Sequence, residues 1–409
     1  MSAPAPQTQR RERSLFDQIT NSSVTITVLA IIAGLVGGGI LIAITNDAVR
    51  ETSGYFFSQP GDMIAAIGAA IGGAYSSLFQ GSIFNFGRPD FAGAIKPLLD
   101  TLSFATPLIA AGLGVGLTFR VGMFNIGGRG QMLIAAAAAG WVGFAVPLPG
   151  GLHLVVAVLA GIAGGALWGG IVGLIKAKTG AHEVILTIML NFVAFNLIQF
   201  LLRTPGLLQA PGSVNPVTPP VEQTAVLPKL FGDRYGVDLG FILALVATGF
   251  VWWLFNRSAL GVQFRAVGEN PHAAKVAGIH VPRMYVYAML LSGALVGLAG
   301  TTQALGPGQR GFSDGIDAGI GFEAITVALL GRSRPLGILG AGLLFGALKA
   351  GSFSMQAAND VPIDIVLVVQ SIIVLLIAAP PLVKGLFFLN RTNKSAVVET
   401  ALAQEVTAK

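Results

Sequence analysis

NRSALGVQFRAVGENPHAAKVAGIHVP, residues 256–282, is the one long run in this chain that reads as a water-soluble helical piece, and it lies between two apolar stretches, Leu239–Phe255 and Met284–Ala304. The run is basic, with Arg257, Arg265 and Lys275. Asn270 is suited to cap a helix start, Pro271 to the first helical position and Gly278 to the stop. An integral membrane protein keeps a compact, capped helix on its cytoplasmic face where something docks. The bland alternative is an ordinary short loop helix.

Working outward, the same pattern of apolar stretches and short basic connections fills the chain. Of 409 residues, 53% are hydrophobic and 11% charged, against about 25% charged in soluble domains. The apolar content is spread evenly, so the expected fold is all-α and polytopic, with eight to ten transmembrane helices. There is no cysteine, which excludes disulfides, iron–sulfur clusters and thiolate zinc sites. The net charge of +6 invites a nucleic-acid reading, but most Lys and Arg sit in short connections between spans. Positive-inside topology accounts for them, and no nucleic-acid partner is expected.

The expected spans are Val24–Thr45, Pro97–Phe119, Gln131–Val146, Leu152–Ile175, Val184–Leu202, Leu239–Phe255, Met284–Ala304, Leu336–Phe353 and Ile363–Ala379. The first is roughly 33 Å long as a helix, too long for a signal-peptide core. Asp62–Phe79 is weaker and is expected to insert only partly. Ile320–Leu330 is too short to cross and reads as a half-helix. Lys176 and Lys178, the 256–283 loop, Arg332 and Arg334, and Lys384, Arg391 and Lys394 mark cytoplasmic connections. Residues 1–20 are then a disordered cytoplasmic tail, 21–384 the transmembrane domain and 385–409 a cytoplasmic C-terminal tail. The 204–238 segment holds prolines 205, 211, 216, 219, 220 and 228. It should be an external loop with little regular structure.

Glycines recur every fourth residue at 161, 165, 169 and 173, and in the pairs 112/116, 293/297 and 342/346. That spacing puts small residues on one helix face, where backbones approach closely.

Three stretches, in this order, resemble permease subunits of ABC importers of the branched-chain amino acid/ribose group. They are FRVGMFNIGGRGQ (119–131), EVILTIMLN (183–191) and GENPHAAKVAGI (268–279). The first two are most similar to the nucleoside-type branch, which carries FNIG-x-x-GQ and E-V-I-x-T-x-M-L-N runs. Gly128-Arg129 departs from that pattern, which expects a small residue followed by an acidic one. The resemblance covers Pro97 to Ala379 and implies a plasma-membrane subunit with both termini cytoplasmic. This subunit would form half of the pathway. A second permease subunit, a different chain or a second copy, would form the rest. Two ATP-binding domains would sit on the cytoplasmic face, with ATP and magnesium on those subunits and no cofactor on this chain. An external binding protein would deliver solute. The chain holds no G-x-x-x-x-G-K-[ST] phosphate loop, so it is not its own motor.

On this resemblance Gly268, Glu269, Asn270, Pro271, Ala273, Ala274, Ala277 and Gly278 form the ATPase-coupling segment, with the alanines giving a smooth face. The substrate pathway is expected at Phe124, Asn125, Gln131, Glu183, Thr187, Asn191 and Phe192. Asn125 and Gln131 interrupt apolar sequence among glycines, and both carry paired donors and acceptors that suit a nucleobase edge. Glu183, Thr187 and Asn191 share a helix face. An intramembrane carboxylate costs roughly 2–4 kcal/mol unless compensated, so Glu183 needs the interface or a partner, with His182 and Lys178 as candidates. Each feature has a plainer reading: a cytoplasmic turn for Asn125–Gln131, interhelical hydrogen bonds for the polar stripe, packing or lipid contact for the phenylalanines. Ser313, Asp314 and Asp317 fall in an external glycine-rich loop, either solvated or facing the binding protein.

The expected function is ATP-driven import of a small polar solute, foremost a nucleoside. The alternatives are a sugar or branched-chain amino acid permease of the same group, and an ion-gradient-driven transporter. The last would show inverted repeats and midplane acids. A membrane-embedded enzyme would need clustered His, Asp and Glu, yet there are four histidines, at 153, 182, 272 and 280, with no H-E-x-x-H pattern.

Overall fold

The computed structural model describes residues 23–387. The N-terminal tail and the C-terminal tail beyond 387 lie outside the described residues. In chain order the helices are α1 Ser23–Thr45, α2 Asp47–Ser53, α3 Pro60–Ser82, α4 Phe91–Phe119, α5 Gly128–Ala145, α6 Leu152–Thr179, α7 Glu183–Arg203, α8 Leu239–Arg257, α9 Ala259–Glu269, α10 Pro271–Val276, α11 Val281–Ala304, α12 Ile320–Leu330, α13 Pro335–Asn359, α14 Ile363–Ala378 and α15 Pro380–Leu386. Eight of them (α1, α3, α4, α6, α7, α8, α11 and α13) are long and apolar enough to cross a membrane. The 18-residue α5 and the 16-residue α14 complete the alternation.

The axis of the bundle is α4, buried at every position from Ala105 to Thr118. It starts two turns before the expected Pro97 because Asp90 caps it, accepting from the Gly93 N–H at 3.0 Å. Pro97 and Pro107 are carried inside the helix. Each withdraws one backbone donor, which leaves the carbonyl four residues earlier without its helical partner.

Every predicted glycine face is a helix contact. On α6, Gly165 lies against the Gly293 carbonyl and the Gly297 backbone of α11, Gly169 against Met289 and Gly293, and Gly173 against Val286. The residue numbers run in opposite directions, so the two helices are antiparallel. Gly112 and Gly116 admit Val327 of α12 and Ile338 of α13, while Gly342 and Gly346 close onto Ile109 and Thr101 of α4.

The two ends of the bundle differ. At the loop face, residues 204–238 lie over the helix ends in turns, through Glu222 N–H to the Gly143 carbonyl, Leu227 N–H to Leu305 and Thr218 N–H to Phe312. At the helical face, α9 and α10 cover the other end. The C-terminus of α4 and the α12–α13 turn meet there, where Arg120 Nε donates to the Ser333 carbonyl at 3.0 Å. Gly34 of α1 touches Ile373 of α14, and Ile42 shares a cluster with Ile365 and Val366. These two helices are therefore antiparallel, and the described chain begins and ends at the helical face.

Helix α3 runs inward from the loop face. Gly73, Leu78 and Gly81 contact Asn359, Gly351 and Ser354 of α13, whereas Gly61, Gly68 and Gly72 border open space. The Ser82 carbonyl accepts from Thr101 Oγ1 at 2.7 Å. Thr101 lies ten residues into α4, roughly 15 Å along the helix. So α3 stops part-way down the bundle, and residues 83–90 return to the start of α4 on the same side.

A Cβ on Gly165 would lie 2.4 Å from the Gly293 carbonyl, whereas Gly249 on α8 has open space around it. Overpacking of this kind costs about 1–3 kcal/mol or more. Gly165→Val is expected to lower the thermal midpoint of the detergent-purified protein clearly, while Gly249→Ala leaves it within a degree or two; equal effects would show that the α6–α11 contact is unimportant.

Candidate functional site

The segment between α4 and α5 is not helical. Residues 123–126 run without regular structure alongside α7, which supplies side-chain acceptors for two of their backbone donors. Phe124 N–H donates to Glu183 Oε1 at 3.2 Å, Ile126 N–H to Thr187 Oγ1 at 3.3 Å, and Gly130 N–H to Asn191 Oδ1 at 2.8 Å. Asn191 Nδ2 returns a bond to the Ile126 carbonyl at 2.9 Å. Four residues of helix rise about 6.0 Å and two residues of extended chain about 6.6 Å. One step of the stripe on α7, Glu183 to Thr187, therefore matches the alternate amides of 124 and 126, while Asn191 reaches Gly130, already inside α5.

Glu183 is compensated by Lys176 at 2.6 Å. The expected partners are secondary: His182 lies 3.9 Å away and Lys178 is exposed. Lys176 lies in the last turn of α6, and the short connection folds α7 back antiparallel, which brings that turn onto the first of α7. Asn125 and Gln131 are buried and bond to each other, with Asn125 Nδ2 to Gln131 Oε1 at 3.1 Å. Asn125 Nδ2 also reaches Ser292 Oγ at 2.9 Å, which donates to the Gly114 carbonyl at 2.7 Å. Asn125, Gln131, Glu183, Thr187 and Asn191 are thus brought together, their polar atoms directed at backbone and at one another. Phe124 packs tilted against Phe119, with ring centroids 4.6 Å apart at 34°. Phe192 is exposed on the bundle surface and joins no cluster with them.

Above this ladder the N-termini of α5 and α12 meet, Gly128 against the Gly321 carbonyl and Gly321 against Arg129 N. Arg129 Nε lies 3.4 Å from Asp317 Oδ1, and its guanidinium lies over the Phe195 ring at 4.8 Å. Asp317, which the sequence leaves in an external loop, is 4% exposed. Asp314 accepts from Gln199 at 2.7 Å.

At the helical face the 256–282 run forms two helices. Ser258 caps α9 and Asn270 caps α10, accepting from His272 and Ala273 N–H at 3.0 and 3.1 Å. Gly278 takes φ +84° and ends the turn. Pro271, Ala273 and Ala277 are exposed, as are Glu269 and Asn270. Ala274 is not on that outer face: it is 3% exposed and packs into the core, while Val276 is 90% exposed. A Cβ on Gly268 would lie 2.2 Å from the Arg120 carbonyl. The 268–278 run is therefore in backbone contact with residues 120–122, at the end of α4.

A polar cavity of about 210 Å³ opens at the loop face between α4, the start of α8, the end of α11 and α13. Its lining includes Phe104, Asp238, Gln303 and Lys349, none of which the sequence singles out. Burial pushes the Asp238 carboxyl up to about 6, against the Gly240 N–H bond that lowers it.

Asn191→Leu orphans the Gly130 amide and the Ile126 carbonyl, at about 1–3 kcal/mol each, and should depress the thermal midpoint more than Phe192→Leu; equal midpoints would remove the ladder's structural role. A carboxylate whose folded-state pKa is raised loses stability as pH climbs from its unfolded value through the folded one. Asp238→Asn should therefore gain on the wild type between pH 4 and 6, with the gap flat above; a gap constant across that range would contradict the burial of Asp238.

Residues 98–378 match the family described as branched-chain amino acid transport system / permease component. The chain is 34% identical over 366 residues to the guanosine ABC transporter permease protein NupP of Bacillus subtilis, covering 88% of this chain and 94% of that one. It is 34% identical over 309 residues to the glucose ABC transporter permease protein TsgB13 of Haloferax volcanii, covering 72% and 80%. It is 33% identical over 298 residues to the nucleoside ABC transporter permease protein NupB of Lactococcus lactis, covering 70% and 80%. No solved structure matches significantly. With its many apolar helices and a family match over most of its length, the chain is a multi-pass membrane protein that belongs to the ABC-transporter permease family of the branched-chain amino acid type.

Proposed function

We propose that the chain is one permease subunit of an ATP-driven nucleoside importer in the plasma membrane, with the helical face and both termini in the cytoplasm. The observation that carries this reading is the exposed, capped α10 held through Gly268 against Arg120 and Gly122. A partner pressing on Ala273, Val276 and Ala277 moves the end of α4 and the 120–127 segment with it. Two ATP-binding subunits, which bring ATP and magnesium, dock there; this chain holds no cofactor. A second permease subunit completes the pathway, and an external binding protein delivers solute at the 204–238 face. The basic residues Lys176, Lys178, Arg257, Arg265, Lys275, Arg283, Arg332 and Arg334 gather at the helical face, which supports its cytoplasmic orientation.

Nucleosides are favoured because NupP and NupB, both named for guanosine or nucleoside transport, align along most of their lengths. The similarity to TsgB13 makes a sugar the second reading. The test is uptake of labelled guanosine by the complete complex in proteoliposomes, in competition with other nucleosides, glucose, ribose and leucine. Nucleosides should compete and leucine should not. Ala273→Trp, on an exposed position, should abolish both uptake and the ATPase response while leaving membrane insertion intact. Uptake by the isolated chain driven by a proton or sodium gradient would overturn the reading.

A further inference from the structure

We propose that the polar cavity at the loop face is a relay site that holds one nucleoside after its delivery from outside and before its passage inward; this rests on the nucleoside-importer reading above. The case begins with Asp238. Its Oδ1 accepts from Gly240 N–H at 2.7 Å, and no cation among the described residues pairs with the carboxylate. A carboxylate drawn out of water without a counter-charge is costly unless donors complete it. It accepts only, so a solute that pairs with it presents N–H or O–H groups, as a ribose diol or a purine N–H edge does.

The other walls supply what a nucleoside also needs. Gln303 lines the cavity with an amide that has no hydrogen-bond partner among the described residues, and an amide both donates and accepts. Phe104 lies on the wall, stacked on Phe353 with centroids 5.7 Å apart at 24°. An aromatic face of this kind takes a planar base by stacking. Pro107, also on the wall, lacks the N–H that would otherwise occupy the Ser103 carbonyl beside it. That carbonyl is left as a further acceptor.

The cavity is poorly suited to one other solute class. A phosphate needs unpaired cations, yet Lys349 is engaged by the Ala318 carbonyl at 3.4 Å and Glu323 at 3.5 Å. Inward of Pro107 and Ile320, the cavity ends where Gly112, Val327 and Ile338 pack together. A solute entering from the loop face is therefore held and cannot pass without a change of conformation.

The test uses the complete complex in proteoliposomes with its loaded binding protein, measuring solute imported per ATP hydrolysed. Asp238→Asn keeps the α8 cap, because asparagine caps as well as aspartate, but removes the charge. Phe104→Ala removes the aromatic face and Phe104→Trp restores one. Asp238→Asn and Phe104→Ala should lower guanosine imported per ATP at least tenfold, with the ATPase response to loaded binding protein within twofold of wild type and Phe104→Trp near normal. Uptake per ATP within twofold in both variants would overturn the relay site while leaving the importer intact. Parallel loss of uptake and ATPase response in both would assign the residues to folding and overturn it too. A wild-type complex that imports glucose and no nucleoside would overturn both proposals together.

Discussion

Between Gly165 and Gly293 the backbones of α6 and α11 pass so close that a methyl group on either would overlap the other's carbonyl. In lipid this contact must come from packing itself, because the surrounding tails are as apolar as the helix faces. Much of the interior takes its position from it. Once α11 is seated against α6, Ser292 is fixed beside the Gly114 carbonyl and the Asn125 amide. Asn125 in turn fixes Gln131 and the first turn of α5. A polar network buried in a membrane protein is tolerable only when every member is satisfied, and here the backbone crossing sets the distances that satisfy it.

The helical face is organised around one arginine. Arg120 bonds to the Ser333 carbonyl, lies over the Phe255 ring at 5.2 Å, and has its own carbonyl pressed by Gly268. Four pieces of chain distant in sequence thus meet within one residue of the end of α4. Because Gly268 and Gly122 meet through backbone, little side-chain freedom is left to absorb a displacement. For the proposed importer, this is a stiff joint between the surface that a motor subunit would press and the interior of the bundle.

Much of this was legible in the residues alone. Hydropathy located the spans, the four-residue glycine spacing located the helix contacts, and Ile320–Leu330 was bounded as a half-helix to the residue. Helix starts were less legible: Pro97 looks like a beginning, yet Asp90 caps the same helix two turns earlier. The stripe of Glu183, Thr187 and Asn191 was visible as a face, but its partners were not. Periodicity says which way a helix points and nothing of the extended chain that will lie against it. The cavity was the least legible. Phe104, Asp238, Gln303 and Lys349 come from four separate stretches, and none carries a local signal of shared purpose.

The bonds from the Phe124 and Ile126 amides to Glu183 and Thr187 have a mechanical consequence. A slide of half a step would leave both amides facing apolar side chains of α7, at about 1–3 kcal/mol apiece. The segment is pinned to the helix at two points, and shifting it along α7 means breaking both.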